Sequence, residues 1–238
     1  MVMGWSQKIE HTYVAPALPD VVTVPSSELG VTNGLLLRYP SVSCVGDLTL
    51  LKLPKIAIVG ARKATQEGRR RAAKLARECA KAGVVVVSGL AEGIDYAAHT
   101  AAIESGGKTI AVVGTPLDAV YPAKHGDLQQ QIYREHLLVS QFTWGQKFVP
   151  SNFPERNRIM ARLASATIII EASDTSGSLH QAAESIAVGH AVFIAASVLE
   201  NSKLTWPHRF LNDRTGLGRV LSDADDVIAW ARGFSASV

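Results

Sequence analysis

The chain is 238 residues long, 47% apolar and 19% charged, with a formal net charge of +3; that length suits one compact domain with a small appendage. No apolar run approaches the roughly 20 residues of a membrane span, and the N-terminal MVMGWSQKIEHTYVAP has no apolar core of signal-peptide length, so a soluble, cytoplasmic protein with no membrane partner is expected. The two cysteines, Cys44 and Cys79, form no CxxC pair, which argues against a disulfide framework or a zinc site, and no metal-ligand cluster stands out.

Residues 1–45 are broken by Pro16, Pro19, Pro25 and Pro40 around one coherent apolar piece, LGVTNGLLL. Proline removes donors and disfavours regular elements, so an irregular arm or cap is expected there. Over residues 46–200 short β-branched runs alternate with helical patterns. They are IAIV at 56–59, VVVV at 84–87, TIAVV at 109–113, LLV at 137–139, TIII at 167–170 and AVFIA at 191–195. Each is apolar throughout rather than alternating, as in strands covered on both faces. These patterns predict an α/β, Rossmann-like doubly wound domain, a mostly parallel sheet with right-handed crossover helices on both faces. Residues 201–238 read as a closing tail that ends in a short helix with Ser222 as its N-cap.

In an open α/β sheet ligands sit beyond the carboxyl ends of the strands, so the turns that follow each strand are expected to carry the function. The first is GARKAT. Gly60 permits the tight turn, and the N-terminus of the next helix offers free N–H groups to an anion. A dinucleotide fingerprint would place a second glycine at position 62. Arg62 stands there instead, followed by Lys63, and its fork of permanent charge favours a phosphate held through a side chain. A surface arginine on a neighbouring carbonyl is the plain alternative.

The helix expected at 66–82 places Gly68, Ala72, Leu75, Cys79 and Ala82 on one apolar face, which makes Cys79 a core residue. Arg70, Lys74, Arg77 and Lys81 form a second stripe, either a solvated face or a track for a nucleic-acid backbone. From Lys55 to Lys81 nine Lys/Arg face two Glu, so this segment is +7 and the rest of the chain is −4. Such clustering counts for more than net charge when the partner is a polyanion.

In SGLAEGID, Gly89 and Gly93 would let backbone from Ser88 to Ile94 approach a ligand as a nest of N–H groups; alternatively Asp95 simply favours the first helical turn. In EASDTSGSLH, Ser176, Gly177 and Ser178 precede a helix and can cap it or bind a phosphate oxygen. The stretch FTWGQKFVPSNFPERNR is read as a long loop in which Phe142, Trp144, Phe148 and Phe153 interleave with Lys147, Arg156 and Arg158. Aromatic faces beside cations suit a single-stranded nucleic acid, with bases stacked and phosphates neutralised; some of these aromatics must instead anchor the loop.

Four segments in this order resemble the Rossmann core of the DNA-processing DprA/Smf family: GDLTLL followed by PKIAIVGARKAT, then VVVVSGLAEGIDYAAHTAAIESGGKTIAVVGTPLDAVYP, NFPERNRIMARLA and IIIEASDTSGSL. The resemblance covers residues 46–196, and the FPxRNR element is its most specific part. It implies a homodimeric protein that binds single-stranded DNA, protects incoming strands and loads the recombinase RecA, with no covalent chemistry and no cofactor. By motif it places Gly60, Arg62, Ser88, Gly89, Gly93, Asp95, Asn157, Arg158 and the turn from Ser176 to Leu179 around a phosphate pocket. Gln181 stands where the family usually has threonine and Gln141 where it usually has glutamate, and at 238 residues the helical N-terminal and winged-helix C-terminal domains of many members are not expected.

Two other functions fit the same pocket. One is a nucleoside-monophosphate phosphoribohydrolase of the Lonely guy type, whose loop PGGxGTxxE matches Gly177 and Glu184 here but meets His180 and Gln181 at its Gly-Thr pair. The other is a sensor of a small nucleotide derivative. No Ser-His-acid triad is favoured by spacing, and His99, His136 and His190 read as satisfied structural residues.

Overall fold

The computed structural model describes residues 13–14, 18, 20–30 and 33–235. Its strands and helices are, in chain order, β1 (Tyr13–Val14), β2 (Val22–Pro25), α1 (Asn33–Arg38), β3 (Ser41–Gly46), β4 (Lys55–Val59), α2 (Gln66–Lys81), β5 (Val85–Ser88) and α3 (Ile94–Glu104). Then follow β6 (Thr109–Val112), β7 (Ala119–Val120), α4 (Gly126–Glu135), β8 (Leu137–Ser140), α5 (Asn152–Leu163), β9 (Ala166–Ile169) and α6 (Ser178–Ala187). The chain closes with β10 (Ala191–Ala195), α7 (Ala196–Leu199), α8 (Trp206–Leu211), β11 (Gly218–Leu221) and α9 (Ala224–Ser235).

The six predicted strands form as β4, β5, β6, β8, β9 and β10, with their ends displaced by at most one residue. They are apolar throughout because helices cover both faces. Ile56, Ile58, Val84, Val86, Ile168 and Ile170 pack with α2, α3 and α9 on one side. The alternate residues Ala57, Val59, Val85, Val87, Ile110 and Val112 pack with α5 and α6 on the other. The sheet order is β11-β10-β9-β4-β5-β6-β8-β3-β2. From β11 to β8 all neighbours are parallel. The chain leaves the central β4 toward β5, β6 and β8, then returns to β9 on the other side of β4, as in a Rossmann-like doubly wound fold.

Helix α2 forms as its periodicity predicts, with Gly68, Ala72, Leu75, Ala76 and Cys79 buried. Three expectations are corrected. The stretch read as an irregular arm supplies β3, antiparallel to β8, and β2, antiparallel to β3. Proline disfavours a strand only where a ladder donor is lost, and Pro25 ends the edge strand β2, where that loss is tolerated. The tail contributes β11, parallel to β10, and α9 is capped not by Ser222 but by Asp223, whose Oδ1 accepts from Asp225 N–H at 3.0 Å. Lastly, the long loop is shorter than expected. NFPERNR lies on α5, with Pro154 in the first turn, where a missing N–H costs no hydrogen bond.

Candidate functional site

The order of strands reverses between β4 and β9, and beyond their carboxyl ends lies an open cavity of about 480 Å³. This is where the topology of a doubly wound sheet parts two adjacent turns and leaves a crevice. Gly60, Ala61 and Arg62 line it from the β4 turn, Ala91 from the β5 turn and Asp95 from the start of α3. Phe153, Arg156 and Asn157 reach it from α5, and the third wall is the turn from Ser173 to Ser178 with His180 and Gln181.

Two of the three turns have their anion-binding donors filled from within the protein. At the β4 turn, Thr65 caps α2 by accepting from Gly68 N–H at 2.9 Å, and the Glu171 carboxylate accepts from the Thr65 N–H at 3.0 Å and from its hydroxyl at 2.6 Å. The N-terminus of α2 therefore already holds an anion, and a phosphate at this turn must be met by Arg62. At the β5 turn Asp95, buried, accepts from the N–H groups of Gly89 at 3.2 Å and Ala91 at 3.4 Å, filling the expected nest. Ser88 is also buried, and its hydroxyl donates to the Ile58 carbonyl, tying β5 to β4.

The glycines admit protein rather than ligand. A Cβ on Gly89 would fall 2.4 Å from the Arg156 guanidinium, and one on Gly60 2.6 Å from Ile94. Gly93 has φ +79°, and a Cβ there would lie 2.3 Å from the Ala61 carbonyl oxygen. Only glycine suits that backbone at that approach.

The third turn keeps open donors. Among the described residues, Gly177 precedes α6 with no side-chain cap, nothing lies within 4 Å of where its Cβ would be, and the buried Ser178 hydroxyl has no hydrogen-bond partner. Ser176 is partly committed, its Oγ accepting from the Ser173 N–H at 2.8 Å. Asn157 joins α5 to this turn, donating to the Gly177 carbonyl at 3.2 Å and accepting from Arg156 Nε at 3.0 Å.

The cations expected to act together divide. Arg62 is exposed, makes no ion pair among the described residues, and lies over the Phe153 ring at 5.2 Å from its centroid. Arg156 is 4% exposed and donates to the carbonyls of Gly89 and Val112, so it braces the cavity floor instead of standing free to steer a strand. Its burial lowers its pKa to about 10, with the Asp95 carboxylate working the other way, and burial pushes the Asp95 carboxyl up against the pull of Arg156. Arg158 does not line the cavity; it pairs with Glu155 at 3.4 Å and Glu184 at 3.8 Å. Lys63 and Lys147 are exposed and also lie off the cavity wall.

The loop aromatics divide too. Phe142 and Phe148 are buried, Phe148 packs with Tyr121 and Phe153, and Trp144 is 56% exposed. His99 and His190 are hydrogen-bonded as expected, to Thr109 and the Ala161 carbonyl, but His136 is buried without a hydrogen-bond partner among the described residues. Glu171, Thr175 and His180 all lie in EASDTSGSLH, where sequence marks Ser176–Ser178 for phosphate and His180 only through the hydrolase loop. Thr175 and His180 line the cavity beside those serines; the role of Glu171 has no local signal, because its partner Thr65 is 106 residues away.

Among the described residues no helix is long and apolar enough to cross a membrane, and no group of His, Cys, Asp and Glu could hold a metal.

Residues 37–230 match the family described as DNA recombination-mediator protein A. DNA processing protein DprA of Streptococcus pneumoniae is 44% identical over 156 residues, covering 65% of this chain and 55% of that protein. Protein Smf of Escherichia coli is 33% identical over 206 residues, 86% of this chain and 53% of that protein. The crystal structure of the Streptococcus pneumoniae protein superposes with a TM-score of 0.75 at 33% identity, covering 94% of this chain and 76% of that one. DNA processing protein A of Helicobacter pylori, described for its single-stranded DNA binding mode, superposes at 0.74 over 95% of this chain and 98% of its own, and at 24% identity it shows the shared fold. The chain spans about half the length of most of the curated relatives it matches.

Proposed function

The chain belongs to the DNA recombination-mediator protein A family, and from that premise we propose that it binds single-stranded DNA through the cavity at the β4/β9 switch point. The observation that carries this is the free Arg62 guanidinium, set on Phe153 at the mouth of a cavity whose other wall is the uncapped start of α6. With Glu171 already bound at the start of α2 and Asp95 on the N–H groups of the β5 turn, and the Ser176 N–H given to the Ser173 carbonyl, a phosphate meets Arg62 on one side and the Ser176 and Ser178 hydroxyls with the Gly177 and Ser178 N–H groups on the other. That arrangement suits one phosphate of a strand better than the pyrophosphate of a dinucleotide, which needs an open glycine-rich helix start. Phe153, Asn157 and Gly177 shape the pocket; Lys63, Lys147 and Arg158 lie outside its wall and contribute to the field that draws a polyanion in. Gly60, Ser88, Gly89, Gly93, Asp95 and Arg156 hold the turns in place.

The same proposal has the chain act by binding and without covalent chemistry. A phosphoribohydrolase would aim Glu184 into the cavity, whereas its carboxylate is held by Arg162 and Arg158 outside it. Homodimer formation, protection of incoming strands and RecA loading follow from family membership, and a cytoplasmic location from the apolar pattern of the sequence.

The cavity is also roomy enough for one mononucleotide, so the ligand class is decided by comparing fluorescence anisotropy of a labelled single strand, its duplex and a competing AMP. A single strand bound more tightly than its duplex and not displaced by millimolar AMP is the expected result. Tight AMP binding with no oligonucleotide affinity would make the protein a nucleotide sensor, and adenine release abolished by Glu184→Ala would make it a hydrolase.

A further inference from the structure

Trp144 is 56% exposed on a loop that is otherwise fastened down. Phe142 is buried before it and packs edge-on against Tyr39, with ring centroids 6.1 Å apart. Phe148 is buried after it, against Tyr121 at 5.6 Å. Between them Thr143 to Gln146 close a tight turn, with Gln146 N–H donating to the Thr143 carbonyl at 3.0 Å and Gly145 at φ +73°. Gly145 N–H also donates to the Asp118 carboxylate at 3.1 Å. Trp144 therefore sits at the tip of a turn whose backbone is held at several points.

This loop connects physically to the cavity. Phe148 packs with Phe153 at 6.4 Å, Phe153 carries Arg62, and Pro150 lines the cavity wall. Lys147, three residues past Trp144, is exposed on the same loop. A large aromatic ring held out in water on a braced turn, with a cation on the same loop and a phosphate pocket at the loop's far end, is the combination that a nucleobase recognises. Its π-face stacks on any base, and pre-ordering of the turn lowers the entropic cost of binding.

We propose that Trp144 is a stacking platform for a nucleobase of the strand whose phosphate occupies the Arg62 cavity. This rests on the single-strand reading of that cavity. The platform contributes base-independent affinity, because stacking needs a π-face and reads no hydrogen-bonding edge.

Wild type, Trp144→Ala, Trp144→Phe and Arg62→Ala are titrated against a labelled oligothymidylate and against the same backbone carrying abasic sites. Trp144→Ala is expected to melt with wild type, since the ring packs on little, and to bind oligothymidylate about tenfold more weakly. Trp144→Phe recovers most of that loss, and the abasic backbone binds wild type and Trp144→Ala alike. Equal oligothymidylate affinity for wild type and Trp144→Ala overturns the platform and leaves the ring to a protein partner. An equal loss on both backbones overturns it as well, since no base is then involved. The pocket reading is judged separately by Arg62→Ala: it survives failure of the platform if that variant is weakened. Loss in Trp144→Ala with Arg62→Ala unchanged supports the platform and overturns the pocket.

Discussion

The Arg62 guanidinium lies 5.2 Å from the centroid of the Phe153 ring, so a side chain from the turn after β4 is oriented by one from the first turn of α5. A cation stacked on an aromatic face keeps its in-plane N–H donors available, and the fork is aimed before ligand arrives. Phe153→Ala is therefore expected to weaken single-strand binding by about threefold, in line with an exposed cation–π contact. Arg62→Lys, which keeps charge but loses planarity, should fall between wild type and Arg62→Ala. Equilibrium titration of the three variants checks both.

Arg156 behaves as a core residue despite its charge. Its removal takes the guanidinium donors from the Gly89 and Val112 carbonyls and the favourable charge of Arg156 from the buried Asp95. Arg156→Met should cost about 3–5 kcal/mol of folding stability, read from urea unfolding, and Arg156→Lys should not restore it, because an ammonium cannot reproduce the planar fork.

Gly93 and Gly177 look equivalent in sequence and are opposite in structure. Gly93→Ala forces a side chain into φ +79° and toward the Ala61 carbonyl, and should destabilise by more than about 1 kcal/mol. Gly177→Ala meets nothing within 4 Å and should stay within about 0.5 kcal/mol of wild type. Denaturant midpoints of the pair make the comparison.

Most of the fold was legible because the six strand runs are apolar on both faces and the α2 stripe keeps a helical period. The edge strands were not. Residues 22–25 and 218–221 are partly exposed and flanked by proline or glycine, so they lack the hydrophobic run that marks a covered strand. The turns at Gly60, Ser88 and Ser176 could be placed at one edge from chain order alone. What fills them could not: Glu171 meets Thr65, and Arg156 meets Gly89, across 106 and 67 residues. For the same reason sequence groups Arg156 and Arg158 with Lys147 as cations that steer a strand, although Arg156 faces the floor of the cavity and Arg158 an acidic surface.

Acid should destabilise the protein earlier than carboxylate titration would. Burial, reinforced by the nearby charges of His136 and Arg156, holds the His99 pKa at about 3 against an ordinary 6.5. The unfolded chain then binds a proton that the native state refuses. Stability is unaffected above pH 6.5 and falls as pH drops from 6.5 toward 3, by about 1.5–2 kcal/mol by pH 5 for this residue alone. His125, His136 and His190 are shifted in the same direction, while the raised Asp95 carboxyl acts oppositely once it begins to protonate. Urea midpoints between pH 7.5 and 5 should decline, and His99→Gln should flatten the decline.

Whether Arg62 meets a strand's phosphate at the β4/β9 crevice is read from the affinity of wild type and Arg62→Ala for one labelled single strand across a salt series, with melting temperatures to confirm that the exposed residue leaves the fold intact. Arg62→Ala should lose about tenfold or more at low salt and show a salt slope shallower by about 0.7 for the one lost contact. Unchanged affinity and slope in a folded Arg62→Ala would contradict that contact.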